Sequence, residues 1–199
     1  MLTDGADIKF LKIIMIKRLI TKIAKVLNKQ GIAYMIIGGQ ALLQYGAVRL
    51  TEDIDITLGL DVDSLSRMKR VLKEVGLAIP KNVDDNFVKK TNVLVGIDKS
   101  TGIRVDFVFS FTTYENQALE RARKVRIGNC NVNFASCEDM IIHKIFAGRA
   151  RDLEDVRVLL ELNIAALDTV YIKKWLKEFS KVQGYSLLKE FERIANKKG

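Results

Sequence analysis

Cysteine and histidine are nearly missing from this chain of 199 residues, which has two cysteines, Cys130 and Cys137, and one histidine, His143. The spacing of the two cysteines matches no zinc pattern. Each is read as a small core residue, and so low a count suits a reducing cytosol. A lone histidine at position 143 reads as a packing or helix-surface residue rather than a catalyst. Long hydrophobic runs are missing too. The apolar stretch near the N-terminus is interrupted by Lys9, Lys12, Lys17, Arg18, Lys22 and Lys25. No window has the length or purity of a membrane span, and no small-residue cleavage site follows it. The expectation is a cytoplasmic protein with no membrane partner. There is no internal repeat, low-complexity tract or long linker.

What is present is charge of one sign in excess. Lys plus Arg number 33 against 24 Asp plus Glu, a formal net charge of +9. An excess of that size favours polyanionic partners or substrates such as nucleic acid or nucleotides, but identifies no fold. The length suits one domain, or a core domain with a helical appendage.

Residues from about Asp7 to Lys29 carry apolar side chains at helical spacing (Phe10, Ile13, Ile14, Ile20, Ile23, Ala24, Leu27), and Gly31 stops the helix. Ala33 to Ile37 suits a buried strand ended by Gly38-Gly39, and Gln40 to Tyr45 a brief helix closed by Gly46. Ile54 to Leu58 reads as a strand and Asp63 to Val75 as an amphipathic helix ended by Gly76. Phe87 to Ile97 and Ile103 to Phe109 read as strands, and Lys124 to Phe134 as a hairpin around Gly128-Asn129. From Ser136 onward the pattern is helical, at about 137–149, 152–163, 168–180 and 185–197; Trp175 is expected in the core. The fold class is therefore α+β: a mixed β-sheet flanked by helices, residues 1–135, and a helical C-terminal part, residues 136–199.

Three features carry chemistry. Gly38-Gly39, at a strand's end and opening a short helix, lets backbone approach a ligand and points amides at it; alone it reads equally as a tight turn. After thirteen intervening residues come Asp53-Ile54-Asp55. Residues two apart on a strand share a face, so both carboxylates can converge on one ion, and magnesium takes a few carboxylate oxygens together with substrate phosphates. Asp106 is the third acid. In Ile103 to Phe109, Val105, Phe107 and Phe109 share one face while Arg104, Asp106 and Val108 share the other, and a lone Asp in so apolar a strand needs a partner or a metal. Three carboxylates on neighbouring strands can hold two metal ions for a phosphoryl-group displacement.

Further along, Ser136 with Asp139 forms a capping-box pattern. Met140, Ile141, Lys144, Ala147 and Gly148 follow at spacings of three and four, so Lys144 lies in an apolar stripe, either snorkelling or facing a ligand anion. Arg49 and Arg104 could bind phosphate or pair with the acids, with Arg49 taken as the phosphate binder. The basic run Arg121, Arg123, Lys124, Arg126 could track an RNA backbone, or be a solvated strand and loop.

This combination resembles the polymerase-beta-type nucleotidyltransferase superfamily, whose pattern is a Gly-Gly or Gly-Ser turn, a short helix, an acid-x-acid pair on the next strand and a third acid on a later one. The stretch from Gly38-Gly39-Gln40-Ala41-Leu42 through Arg49-Leu50-Thr51-Glu52-Asp53-Ile54-Asp55 looks especially like the branch containing AbiEii-type and MenT-type toxins. That branch also has a helical segment with Lys, Ala, Arg and an acid, matched here by Lys144, Ala147, Arg149, Arg151 and Asp152, followed by Asp155.

The resemblance covers roughly residues 33 to 160. It implies a metal-dependent nucleotidyltransferase with Mg2+ (or Mn2+) on Asp53, Asp55 and Asp106 and a nucleoside triphosphate held by Gly38, Gly39, Gln40, Arg49, Lys144 and Asp152. It further implies an RNA (tRNA) or protein acceptor, a toxin-like role and an antitoxin partner. Gln40 departs from the family pattern, standing where many members have a serine or threonine that touches the triphosphate. A small-molecule acceptor such as an aminoglycoside stays open. So does a non-catalytic nucleotide-binding or toxin–antitoxin interaction module of the same fold.

Overall fold

The structure, a computed structural model, describes residues 4–47, 51–110 and 112–196. Arg49, expected at the phosphates, lies outside them. The chain divides into two compact units: Met1–Ile37 with Thr51–Phe134, and Gly38–Leu50 with Ala135–Gly199.

The first unit is built on a seven-stranded mixed sheet. Its strands are β1 (Tyr34–Ile37), β2 (Ile54–Leu58), β3 (Leu77–Ala78), β4 (Val93–Asp98), β5 (Arg104–Phe109), β6 (Arg123–Ile127) and β7 (Cys130–Phe134). Their order is β3-β4-β5-β2-β1-β7-β6. Strand β2 lies between β1, to which it is antiparallel, and β5, to which it is parallel, so the centre of the sheet is β1-β2-β5. Strand pleating gives each rung a common face. Ile54 shares one face with Val105, Ile56 with Phe107 and Leu58 with Phe109, and all six are buried. Against that face pack helices α1 (Asp4–Lys29) and α3 (Leu65–Val75). A Cβ added at Gly96, the rung partner of Val105, would meet Leu77 at 3.1 Å and Leu72 of α3 at 3.3 Å, a tight fit where the helix comes close.

Helix α1 is amphipathic over its second half, where Ile20, Ile23, Ala24 and Leu27 are buried. Phe10 and Ile13, in the same expected stripe, are exposed. The edge strand β6 carries exposed Arg123, Lys124 and Arg126, the charged guarding expected of an unpaired sheet edge.

Two helices differ from expectation, and the two-residue strand β3 had no counterpart either. Residues 87–92 do not join the strand that follows; Asp85–Thr91 is helix α4. Asp84 caps it by accepting a hydrogen bond from the Phe87 amide at 2.7 Å, and Asn92 ends it in the left-handed region at φ 55°. Of its apolar pair only Val88 is buried, while Phe87 is exposed, as one helical face requires and a two-faced strand does not. Helix α5 (Thr113–Glu120) has no counterpart in the sequence reading, although Thr112 and Glu115 form a capping box at its start.

The second unit contains the five-residue helix α2 (Gly38–Leu42) and a 3₁₀ turn Leu43–Tyr45, closed by Gly46 at φ 83°. It continues with α6 (Cys137–Ala147), α7 (Ala150–Asn163), α8 (Thr169–Gln183) and α9 (Leu187–Asn196). Helix α6 is its centre, with α2, α7, α8 and α9 around it. Tyr45 Oη donates to the Ala135 carbonyl at 2.6 Å, and Asn163 Nδ2 donates to the Tyr45 carbonyl at 3.1 Å, tying the short helix to this unit. Trp175 is not a core residue. It is half-buried, packed beside Phe179 with ring centroids 5.8 Å apart, and Phe146 meets Phe179 edge-on. Cys130 and Cys137 are both free and buried, as expected of small core residues.

Candidate active site

In the first unit the acids gather on the sheet face opposite α1 and α3. Asp55 and Asp106 are direct partners on the parallel β2–β5 ladder, so their side chains leave the sheet on the same side. Asp53 stands one residue before β2 begins and is exposed; Asp55 and Asp106 are half-buried. The same face explains why an aspartate is tolerated in the apolar strand β5, since its neighbours Val105 and Phe107 point the other way into the core.

Arg104 shares that face with Asp106. Its Nε donates to Asp106 Oδ1 at 2.7 Å and its Nη2 to Oδ2 at 3.0 Å, a two-point fork. Those hydrogen bonds hold the guanidinium above its ordinary pKa against partial burial, and the charges of Asp106, Asp53 and Asp55 add to the effect. Arg104 thus senses all three carboxylates. Hard carboxylate oxygens in such an arrangement are the donors that Mg2+ or Mn2+ takes. Among the described residues, however, no group of three or more His, Cys, Asp or Glu is placed to hold a metal ion. The donor chemistry fits a divalent cation, with Arg104 covering one of its members.

In the second unit Gly38 takes φ 65°, a left-handed conformation that favours glycine, and Gly39 and Gln40 behind it are buried. Lys144 is buried in the apolar stripe of α6, 7% exposed, and neither snorkels nor stands open. Its Nζ lies 2.7 Å from Asp152 Oδ1 and 2.7 Å from Asp155 Oδ2. Asp152 also accepts from Arg149 Nε at 2.5 Å. Burial pushes the Asp152 carboxyl up, but the hydrogen bonds from Arg149 and Lys144 and their charges outweigh it, so it sits below the usual carboxylate range.

The turn makes this cluster possible. Gly148 ends α6 at φ 66°, Arg149 starts α7, and Asp152 and Asp155 fall one turn apart on α7, facing back to Lys144. Ser136 caps α6 as the pattern implied, accepting from the Asp139 amide at 3.1 Å. Asp139 itself is fully buried and accepts from Tyr171 Oη at 2.8 Å. His143 is half-buried on the same helix.

The sequence left Arg104 open between phosphate and the acids, and here it pairs with Asp106. Sequence reasoning missed the pairing of Asp155 with Lys144, legible only as a three-residue spacing from Asp152.

The sheet order, with acids on its parallel central pair and flanking helices, defines a nucleotidyltransferase-like α+β fold. The chain belongs to the family described as nucleotidyl transferases of unknown function (DUF2204), whose model matches residues 16–192.

Solved structures agree on the fold. The antibiotic-resistance factor ANT(2'')-Ia in solution is similar at TM-score 0.57 and 13% identity, over 85% of this chain and 94% of its own. A crystal structure of ANT(2'')-Ia in complex with adenylyl-2''-tobramycin gives TM-score 0.57 and 14% identity, over 85% and 99%. An antigenic nucleotidyltransferase-like protein from Paracoccidioides brasiliensis gives 0.55 and 17%, over 88% and 91%. At these identities the likeness concerns the fold alone. No curated protein matches the sequence. No helix among the described residues is long and apolar enough to cross a membrane.

Proposed function

We infer that this protein transfers a nucleoside monophosphate from a nucleoside triphosphate to an acceptor hydroxyl, in a metal-dependent reaction that releases pyrophosphate. Membership of a nucleotidyl transferase family supports the reaction class. The observation that supports the metal-dependent form is the register of β2 and β5, which makes Asp55 and Asp106 rung partners on one sheet face, with Asp53 just before β2. Asp53, Asp55 and Asp106 would hold Mg2+ or Mn2+. A divalent ion bound there would offset the charge of the triphosphate and of the departing pyrophosphate. Asp106 then orients the acceptor hydroxyl and takes its proton as the oxygen attacks the α-phosphorus. Gly38, Gly39, Gln40, Arg49, Lys144 and Asp152 belong to nucleotide binding by the resemblance. For Lys144 that role would be exercised from within its ion-paired cluster.

The acceptor in this reading is RNA, tRNA by likeness to the toxin branch, with an antitoxin partner in the cytoplasm. Incubation with α-labelled nucleoside triphosphates and total cellular RNA tests it. A labelled RNA band that requires magnesium is the expected result. Labelled protein, or a labelled aminoglycoside, would move the acceptor and keep the reaction. Undiminished transfer by Asp55→Ala would overturn the site.

One observation favours a second reading, a nucleotide-binding module without catalysis: both oxygens of Asp106 are held by Arg104. Nucleotide binding with no labelled product from any acceptor would select it.

A further inference from the structure

A groove of about 390 Å³ runs between α1 and the tip of the β6–β7 hairpin, inside the first unit. Lys17, Arg18, Lys22 and Lys25 of α1 line it opposite Asn129 of the tip, and no acidic side chain does. All four cations are exposed, and none forms an ion pair among the described residues. Lys22 Nζ lies beside Gly76 at the end of α3 and within electrostatic reach of Asp98, a carboxylate that already accepts hydrogen bonds from Ser100 and Thr101. Arg126 reaches the same tip, its Nε donating to the Gly128 carbonyl at 3.2 Å.

The spacing has a consequence for what fits. Arg18, Lys22 and Lys25 follow at intervals of four and three and form one stripe, with Lys17 beside it. At helical rise, Lys17 to Lys25 spans roughly 12 Å, the length of about three or four phosphates along a strand. Like charges one turn apart oppose helix formation, and this row has no acid interleaved to offset that. A polyanion laid along it would. The cations line a shallow, open groove between a helix and a hairpin tip, which an extended strand can follow. Four cations with no acid among them suit the dense, uniform negative charge of a phosphate backbone.

We propose that this groove binds the phosphate backbone of a nucleic acid. It uses none of the carboxylates on β2 and β5, so it stands or falls independently of nucleotidyl transfer.

Fluorescence anisotropy with a labelled single-stranded RNA, titrated between about 50 and 200 mM salt, tests it. The wild type is expected to bind with strong salt dependence. The variant carrying Lys17→Ala, Arg18→Ala, Lys22→Ala and Lys25→Ala is expected to bind at least about tenfold more weakly, with its slope of log affinity against log salt reduced by about 3. The pair Lys17→Ala and Lys25→Ala should show about half that slope change, and Asp55→Asn should bind as the wild type. A matched set on α8, Lys173→Ala, Lys174→Ala, Lys177→Ala and Lys181→Ala, removes the same formal charge outside the groove and should change binding little.

Equal loss in that set, wild-type binding by the groove variant, loss of binding in Asp55→Asn or no RNA binding by the wild type would each overturn the proposal. So would polyglutamate or phosphatidylserine vesicles binding as tightly through the same four residues. Far-UV circular dichroism on each variant confirms that lost binding is not lost folding.

Discussion

Arg104 and Asp106, two residues apart on β5, form a fork in which Nε and Nη2 of the guanidinium take both oxygens of the carboxylate. Asp106 is also the rung partner of Asp55, so the guanidinium sits among carboxylates that a divalent cation would otherwise gather. The fork is half-exposed on the arginine side. Its own stabilisation is therefore small, up to about 1 kcal/mol.

Arg104→Ala separates two roles for this cation. If Arg104 acts as a counter-ion that a metal must displace, its removal raises Mn2+ affinity several-fold, roughly 3- to 10-fold, because a neighbouring positive charge has gone. Stability changes by less than about 1 kcal/mol. Titration calorimetry with Mn2+ alone, without substrate, reads the first, and urea denaturation reads the second. Unchanged Mn2+ affinity together with weaker nucleoside triphosphate binding would instead assign Arg104 to phosphate.

Much of this arrangement was legible from residues. The alternation in Ile103 to Phe109 put Asp106 on the face away from the core, and Asp53-x-Asp55 put two acids on the neighbouring strand. Periodicity cannot supply strand order, and without it the pairing of Asp55 with Asp106 rests on a topology that only the sheet reveals. The buried position of Lys144 was visible as a cation in an apolar stripe. Its partners were not, because they depend on how the Gly148 turn folds α7 back against α6. Phe87 and Val88 misled because a short apolar pair satisfies either period, and the cap at Asp84 decided between them. Helix α5 was missed although Thr112 and Glu115 carry its capping box.

That cap is measurable. Asp84→Ala removes the acceptor of the Phe87 amide and should cost about 1 kcal/mol by urea denaturation. Asp84→Asn or Asp84→Ser, which keep a side-chain oxygen, should recover most of it. Equal losses in all three would mean that the side chain does not cap α4.

Cys137 opens α6 and is buried. Burial first, then the neighbouring charge of Glu138, push its thiol up to about 12. At pH 8 roughly one such thiol in ten thousand is ionised, and the thiolate is the reactive form. In a Cys130→Ala background, Cys137 should therefore resist Ellman's reagent in the folded protein and react promptly in urea. Prompt reaction of the native protein would contradict the buried placement.

The Lys144 cluster makes a prediction in which pH and mutation check one another. Lys144 lies between Asp152 and Asp155, all three largely buried, and removing one partner of such a group leaves buried charge behind. Lys144→Met should therefore cost about 3–5 kcal/mol by urea denaturation. A lysine serving nucleotide binding alone would lower nucleotide affinity and leave stability unchanged. The carboxyl of Asp152 is held below its ordinary range in the folded state, with Arg149 and Lys144 overcoming burial. A group with a depressed folded pKa contributes its stability above the unfolded value, about 3.9, and loses it as pH falls through the folded one. The urea midpoint should accordingly lose this contribution only in the acid region below about pH 4. In Lys144→Met that acid limb should be shallower, because one of the two cations holding the carboxylate ionised is gone. A variant with the same acid limb as the wild type would show that Lys144 does not hold Asp152 in the charged form.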